Sequence, residues 1–247
     1  TYEDTVIFKF GGFEFGNWYF LQYGKKEGPV NVEKAIMRSN DIYFYQVGLK
    51  LGAPKMALWF DRFRLSASDL HPYFSQVPGL IPTDEWKKKT LHEKWYLGDT
   101  VNMSIGQGYM LLSPSHIQQG VSIIASGGKE CPLTFLKGEK KKCTEGIISP
   151  TDARTVVNGM IQACDTGGTG WPFFDFKING KRVKVACKTG TAESVSKKTN
   201  PHAWFTVFAP ANKPRIAMTV LVENGGEGSS IAAPIAKKIL EEFLSVY

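Results

Sequence analysis

The chain has 247 residues, 43% of them hydrophobic and 21% charged, with a formal net charge of +7. That length and balance exclude a disordered chain, and with no Pro-rich, Ser-rich or low-complexity linker they suit one globular domain. The positive charge sits in short clusters such as Lys87-Lys88-Lys89 and Lys140-Lys141-Lys142, with aromatics scattered rather than interleaved. This argues against nucleic-acid binding and suits solvated faces or an anionic partner such as a phospholipid headgroup.

In chain order, Asn31 predicts a helix start, because its side chain can accept first-turn amides while Val32, Ala35 and Ile36 supply an apolar stripe to about residue 38. Ser39-Asn40-Asp41 interrupts it. Ile42, Tyr45, Val47 and Leu49 predict a second helix, with Asp41 as its cap and Gly52 as its stop. Further helices are expected over 54–63, from Ser113-Pro114 to residue 125, and from Ser149-Pro150 to near Cys164. Gly167-Gly168-Thr169-Gly170 reads as a helix-ending loop, since no strand feeds it and no GKS follows, as a phosphate loop would require.

The period then changes. Strand-like runs 174–178 and 182–187 flank Asn179-Gly180, a hairpin turn pair, and runs 203–209 and 215–223 are separated by PANKP. An amphipathic helix over 231–246 closes the chain, with Ile235, Ile239, Leu240 and Phe243 on one face. The fold class is therefore α/β in the layered, α+β sense, with helices packed on an antiparallel meander. The domain divides into a mainly helical part, 1–170, and a part with the strands and the last helix, 171–247.

No apolar run approaches membrane-spanning length and no leader pattern follows Thr1, so the expectation is a soluble or a trimmed chain. The four cysteines lack CxxC spacing, and His71, His92, His116 and His202 lie far apart, so neither a metal nor a cofactor is expected. Cys131 and Cys143 bracket a Lys-rich stretch that suits either a disulfide or two unpaired small hydrophobes.

The stretch ACKTGTAES carries the chemistry. KTGT follows the predicted strand 182–187. The Lys188 ammonium, the Thr189 and Thr191 hydroxyls and the close backbone approach allowed by Gly190 make a receptor for a carboxylate beside a reacting carbonyl. The plain alternative is a solvent-facing strand edge. A bare KTG favours that alternative, and the longer run KTGTAE moves the balance to a site.

Lys188-Thr189-Gly190 resembles the third signature of the serine acyl-transferases that include penicillin-binding proteins and class A β-lactamases. Ser39-Asn40-Asp41, between two predicted helices, resembles the second. The segments IPTDEWKKKTLHEKWYLGDTVNMSIGQGYMLLSP and GTGWPFFDFKINGKRVKVACKTGTAE look like class B penicillin-binding proteins, and the similarity covers nearly the whole chain. Asp41 favours the elongation-type subfamily, penicillin-binding protein 2, where many other relatives carry Asn.

The resemblance implies a transpeptidase fold, an antiparallel sheet sandwiched by helices, with a cleft between the helical part and the sheet edge. It implies a peptidoglycan D,D-transpeptidase that joins stem peptides ending in D-Ala-D-Ala through a serine acyl-enzyme and is acylated by β-lactams. Ser39 would relay a proton, Asp41 would hold substrate backbone or the active-site lysine, and Lys188 would supply positive potential. Thr189 and Thr191 would bind the carboxylate, with the Thr191 amide as half of the oxyanion hole. Implied partners are a glycan polymerase and elongation-complex proteins. The implied location is the periplasmic face of the cytoplasmic membrane, reached by an N-terminal helix.

The family's first signature, SxxK, is expected upstream of Thr1. Ser126-Gly127-Gly128-Lys129 and Ser194-Val195-Ser196-Lys197 fit its letters but follow Ser39, the wrong order, and are read as chance matches. Asp99 and Ser104-Ile105-Gly106-Gln107-Gly108 resemble a family segment near the site, but are read as a structural turn that positions the helix from Ser113. Trp86, Trp95 and Trp171 are read as packing residues and Glu193 as an exposed loop carboxylate. The competing functions are a β-lactamase or β-lactam sensor of the same fold, for which no water-activating Glu is evident, and a non-catalytic interaction module.

Overall fold

Two caps decide the region around residue 39. The Asn31 side chain accepts from the Lys34 amide at 2.8 Å and opens a short helix. That helix stops at Ser39, whose backbone turns left-handed at φ 51. Asn40 is extended again, and its carboxamide oxygen accepts from the Tyr43 amide at 2.9 Å. Asn40, and not Asp41, therefore caps the next helix. Asp41 is already helical, in the first turn where the helix dipole favours a carboxylate.

The computed structural model describes residues 1–70, 76–134, 136–139, 142–193 and 199–246. His71, Lys140, Lys141 and the Ser194-to-Lys197 match lie outside them. The N-terminal stretch holds β1 (Tyr2–Glu3), the hairpin β2 (Ile7–Phe10) and β3 (Phe13–Gly16), α1 (Trp18–Tyr23) and β4 (Pro29–Val30). Helices follow: α2 (Val32–Arg38), α3 (Asp41–Leu51), α4 (Ala53–Arg62), α5 (Asp84–Leu91), α6 (Leu97–Met103), α7 (Pro114–Ala125) and α8 (Pro150–Ala163). The chain then forms β5 (Lys177–Ile178), β6 (Lys181–Arg182), β7 (Ala186–Ala192), β8 (His202–Ala209), β9 (Ile216–Val222) and α9 (Ala233–Val246). The N-terminal hairpin and α1, α5 and α6 were not foreseen.

Strands β7, β8 and β9 form an antiparallel meander in that order. Its two faces follow the period of two along β8. Ala203, Phe205, Val207 and Ala209 face α9, with Phe173, Ala233, Ala236 and Leu240. Phe208 faces the helices instead, with Ile36 of α2, Val121 of α7 and Met160 of α8. A third cluster, Ile42, Tyr45 and Val101, joins α3 to α6 and the N-terminal hairpin. Helices thus cover both faces of the sheet, as the sequence predicts.

Four expectations need correction. The Asn179-Gly180 turn forms with both residues left-handed, but its strands are only two residues long on each side. The long strand begins later and includes KTGT, because backbone pairing with β8 carries polar side chains as readily as apolar ones. In α9, Ala233, Ala236 and Leu240 form the buried face, while Ile235 and Ile239 are 42% and 46% exposed. Small alanines let the helix approach the sheet closely, which turns those isoleucines outward. Trp171, read as a packing residue, is 54% exposed. Trp86 packs on Tyr109, and Trp95 donates to Thr100 at 2.8 Å.

Both cysteine pairs are closed. Cys131–Cys143 brackets the Lys-rich loop, and Cys164–Cys187 ties the end of α8 to the residue before Lys188.

Candidate active site

Side-chain alternation on β7 builds the site. Ala186 faces the helical layer against Ile36 and Met160. Lys188, two residues on, faces the same way and meets the end of α2. Its ammonium donates to the Ser39 hydroxyl oxygen at 2.8 Å and to the Thr189 carbonyl at 2.8 Å. Residues 149 apart are thereby joined in one cleft, with the hydroxyl presented by the left-handed residue that ends α2.

The electrostatics agree with this geometry. Burial lowers the Lys188 ammonium to about 8, against the charge of Asp41, which pulls it up. Burial raises the Asp41 carboxyl to about 6, against the charge of Lys188, which pulls it down. Near neutrality the two carry opposite charges that act on each other through the cleft, and each sits close to a change of protonation. Burial also raises the Tyr45 phenol, followed by the charges of Asp41 and Glu193.

The Ser39 oxygen accepts from Lys188, so its own O–H stays free to donate. A lysine proton and a serine proton then lie in series, which is the arrangement a relay needs. Thr191 is exposed at the open edge of β7, and the Thr189 hydroxyl lies 2.8 Å from the Thr169 hydroxyl. Gly190 pairs with Trp204 across the strand, where a Cβ would come within 3.0 Å of the Trp204 Cβ. Gly228 lies tighter still: a Cβ there would fall 2.1 Å from the Trp204 carbonyl oxygen and 2.5 Å from that of Gly190.

Every sequence-predicted site residue, Ser39, Asp41, Lys188, Thr189, Gly190 and Thr191, falls in this region. Two neighbours were missed. Thr169 belongs to the loop read as a helix end, and Gln107 donates to the Thr191 carbonyl at 3.1 Å from the turn read as structural. For Gln107 the signal was the resemblance of Ser104 to Gly108 to a family segment near the site, which the structural reading of that turn set aside. Glu193 is exposed, as expected. Ser126 ends α7 with its hydroxyl oxygen 2.7 Å from the Lys129 carbonyl and 3.0 Å from that of Ile123, either of which can accept its proton, while the Lys129 ammonium pairs with Glu145 at 3.0 Å. That serine and lysine make no nucleophile–base pair.

Residues 3–241 match the family described as penicillin binding protein transpeptidase domain. The chain is similar to the peptidoglycan D,D-transpeptidase MrdA of Haemophilus influenzae, 30% identical over 239 residues, which cover 88% of this chain and 37% of that protein. It is also similar to the peptidoglycan D,D-transpeptidase PbpA of Mycobacterium tuberculosis, 31% identical over 238 residues, or 88% of this chain and 45% of that protein. The chain thus spans less than half the length of these relatives. Among solved structures, penicillin-binding protein 2 of Helicobacter pylori in complex with MreC has a TM-score of 0.84 at 28% identity, covering 98% of this chain and 45% of that one. Penicillin-binding protein 2 of Pseudomonas aeruginosa in complex with WCK 5153 has a TM-score of 0.81 at 32% identity, covering 98% of this chain and 53% of that one. Sequence and fold therefore agree over almost the whole chain, which belongs to the penicillin-binding protein transpeptidase domain family, class B, of the penicillin-binding protein 2 type.

Proposed function

We propose that this chain is the C-terminal part of a peptidoglycan D,D-transpeptidase domain that cross-links stem peptides during cell-wall elongation. The observation that carries the reading is the Lys188–Ser39 hydrogen bond at 2.8 Å, a cation and a hydroxyl at the edge of an antiparallel sheet with a carboxylate beside them.

The mechanism is acyl transfer. A serine from an SxxK element N-terminal to Thr1 attacks the carbonyl of the penultimate D-alanine, and the terminal D-alanine leaves as its amine. Ser39 passes a proton toward that amine, resupplied from the lysine side. Thr189 and Thr191 hydroxyls receive the terminal carboxylate in the positive field of Lys188, and the Thr191 amide stabilises the oxyanion. An amine of a second stem peptide then takes the acyl group.

The two disulfides suit the oxidising space outside the cytoplasmic membrane, where relatives named for peptidoglycan transpeptidation would meet their substrate. A glycan polymerase and elongation proteins are proposed partners, supported by the MreC complex and by a neighbour, TM-score 0.81, titled for a peptidoglycan synthase complex coordinating polymerization and crosslinking.

Full-length protein mixed with a β-lactam should form a long-lived covalent adduct, seen by intact mass spectrometry, and rapid release of hydrolysed drug would favour a β-lactamase instead. Lys188→Ala or Ser39→Ala should slow adduct formation by roughly 100-fold or more with the fold intact. Near-normal acylation would remove their assigned roles.

A further inference from the structure

Gln107 sits between Gly106 and Gly108, both left-handed at φ +74 and +75. Its backbone N–H donates to the Asn102 carbonyl at 3.0 Å, which fixes the turn after α6. Its side chain leaves that turn and donates from Nε2 to the Thr191 carbonyl at 3.1 Å, across 84 residues of chain.

The strand it reaches is the outer strand of the meander. In an antiparallel ladder, residues two apart direct their peptide groups to the same side. Side chains take both the Thr189 and Thr191 carbonyls, through Lys188 Nζ and Gln107 Nε2 respectively. Both carbonyls therefore belong to the open edge, along which an extended peptide would pair. The turn is also firmly based. A Cβ on Gly48 of α3 would fall 2.3 Å from the Ser104 Cβ, so no slack separates the turn from the helix that begins at Asp41. Beneath it, Lys87 is 2% exposed and donates to Asp99 of α6 at 2.8 Å.

We propose that Gln107 is a positioning residue for acyl transfer, clamping the end of the KTGT strand to the opposite wall of the cleft. Its amide fixes the direction of the Thr191 carbonyl and so steadies the strand end that meets the peptide. A carbonyl has two lone pairs, so one donor from Gln107 leaves the second for a substrate N–H. The inference rests on the transpeptidase reading of the cleft.

The test uses full-length protein and a chromogenic β-lactam, with acylation rates at pH 7.5 and pH 5 taken as ratios to wild type. Gln107→Glu keeps the shape but loses the donor and sets a negative charge against a carbonyl oxygen. Its rate should fall roughly tenfold at pH 7.5, the worth of one lost hydrogen bond. It should recover toward wild type at pH 5, because a carboxyl with an ordinary value of about 4.3 begins to take up a donatable proton there, and earlier still beside a carbonyl. Gln107→Ala should be slow at both pH values. A Gln107→Glu ratio that stays near one, or stays equally depressed at both pH values, overturns the inference. If Gln107→Glu does not fold, Gln107→Asn serves, since its donor falls one methylene short, and a wild-type rate for it would overturn the proposal as well. Failure of the wild-type protein to form any adduct would instead sink the transpeptidase reading.

Discussion

At the scale of single residues, the Asp41–Lys188 pair should set the pH range of acylation. Asp41 sheds its proton near 6 and Lys188 near 8, so the rate should rise through the first value and fall through the second. The two limbs belong to the coupled pair rather than to either group alone. The sign of a substitution follows directly. Asp41→Asn removes the negative charge that holds Lys188 up, so its alkaline limb should move to lower pH. A pH–rate profile of the full-length variant checks this, and an alkaline limb left in place would show that Asp41 does not feel Lys188. These residues were legible because their chemistry is written in short local motifs. Gln107 and Thr169 were not, since each acts on KTGT through a backbone or hydroxyl contact that only the tertiary fold creates.

At the scale of elements, the contact between the sheet and the turn before α9 has no room for a methyl group. Gly228→Ala would set a Cβ 2.1 Å from the Trp204 carbonyl oxygen of β8 and 2.5 Å from the Gly190 carbonyl oxygen of β7, so either the strands or the turn must move. We expect a loss of about 1–3 kcal/mol, the usual cost of overpacking, with slowed acylation because β7 carries Lys188. Gly98→Ala makes the control, since a Cβ on that residue of α6 meets nothing within 4 Å and should be neutral or slightly stabilising. Thermal melting of both variants separates a steric cause from a general intolerance of glycine loss. Helices α2, α3, α4, α7 and α8 were readable to within a residue or two, whereas α1 and α5 were missed despite their Asn17 and Thr83 caps. The errors fell where backbone pairing or close approach overrode the apolar pattern, as in the strand that absorbed KTGT and in α9, whose buried face is built largely from alanines.

At the scale of the whole molecule, the two disulfides should differ in consequence. Cys164–Cys187 joins the helical layer to the sheet at the residue before Lys188, within the core shared with Phe173 and Leu240. Cys131–Cys143 closes a loop between α7 and α8, away from KTGT in the chain. Removing either pair should lower stability, by about 3 kcal/mol on loop-closure grounds. Only Cys164→Ser with Cys187→Ser should also slow acylation, a difference that melting curves and adduct formation measured side by side would reveal. Equal acylation by both double variants would mean that β7 holds its place without the bond. The Cys131–Cys143 bond was one of the two readings that its spacing allowed, but no spacing rule could have paired Cys164 with Cys187, because their closeness depends on how α8 lies across the sheet.

The left-handed backbone of Ser39 sets two demands against each other. A glycine there would relieve the backbone but remove the hydroxyl, while a threonine would keep a hydroxyl and add a branch that this conformation tolerates poorly. Serine is the compromise, so, on the proposed acyl-transfer reading, changes that lower susceptibility to an acylating drug have little freedom at this position and more room around it.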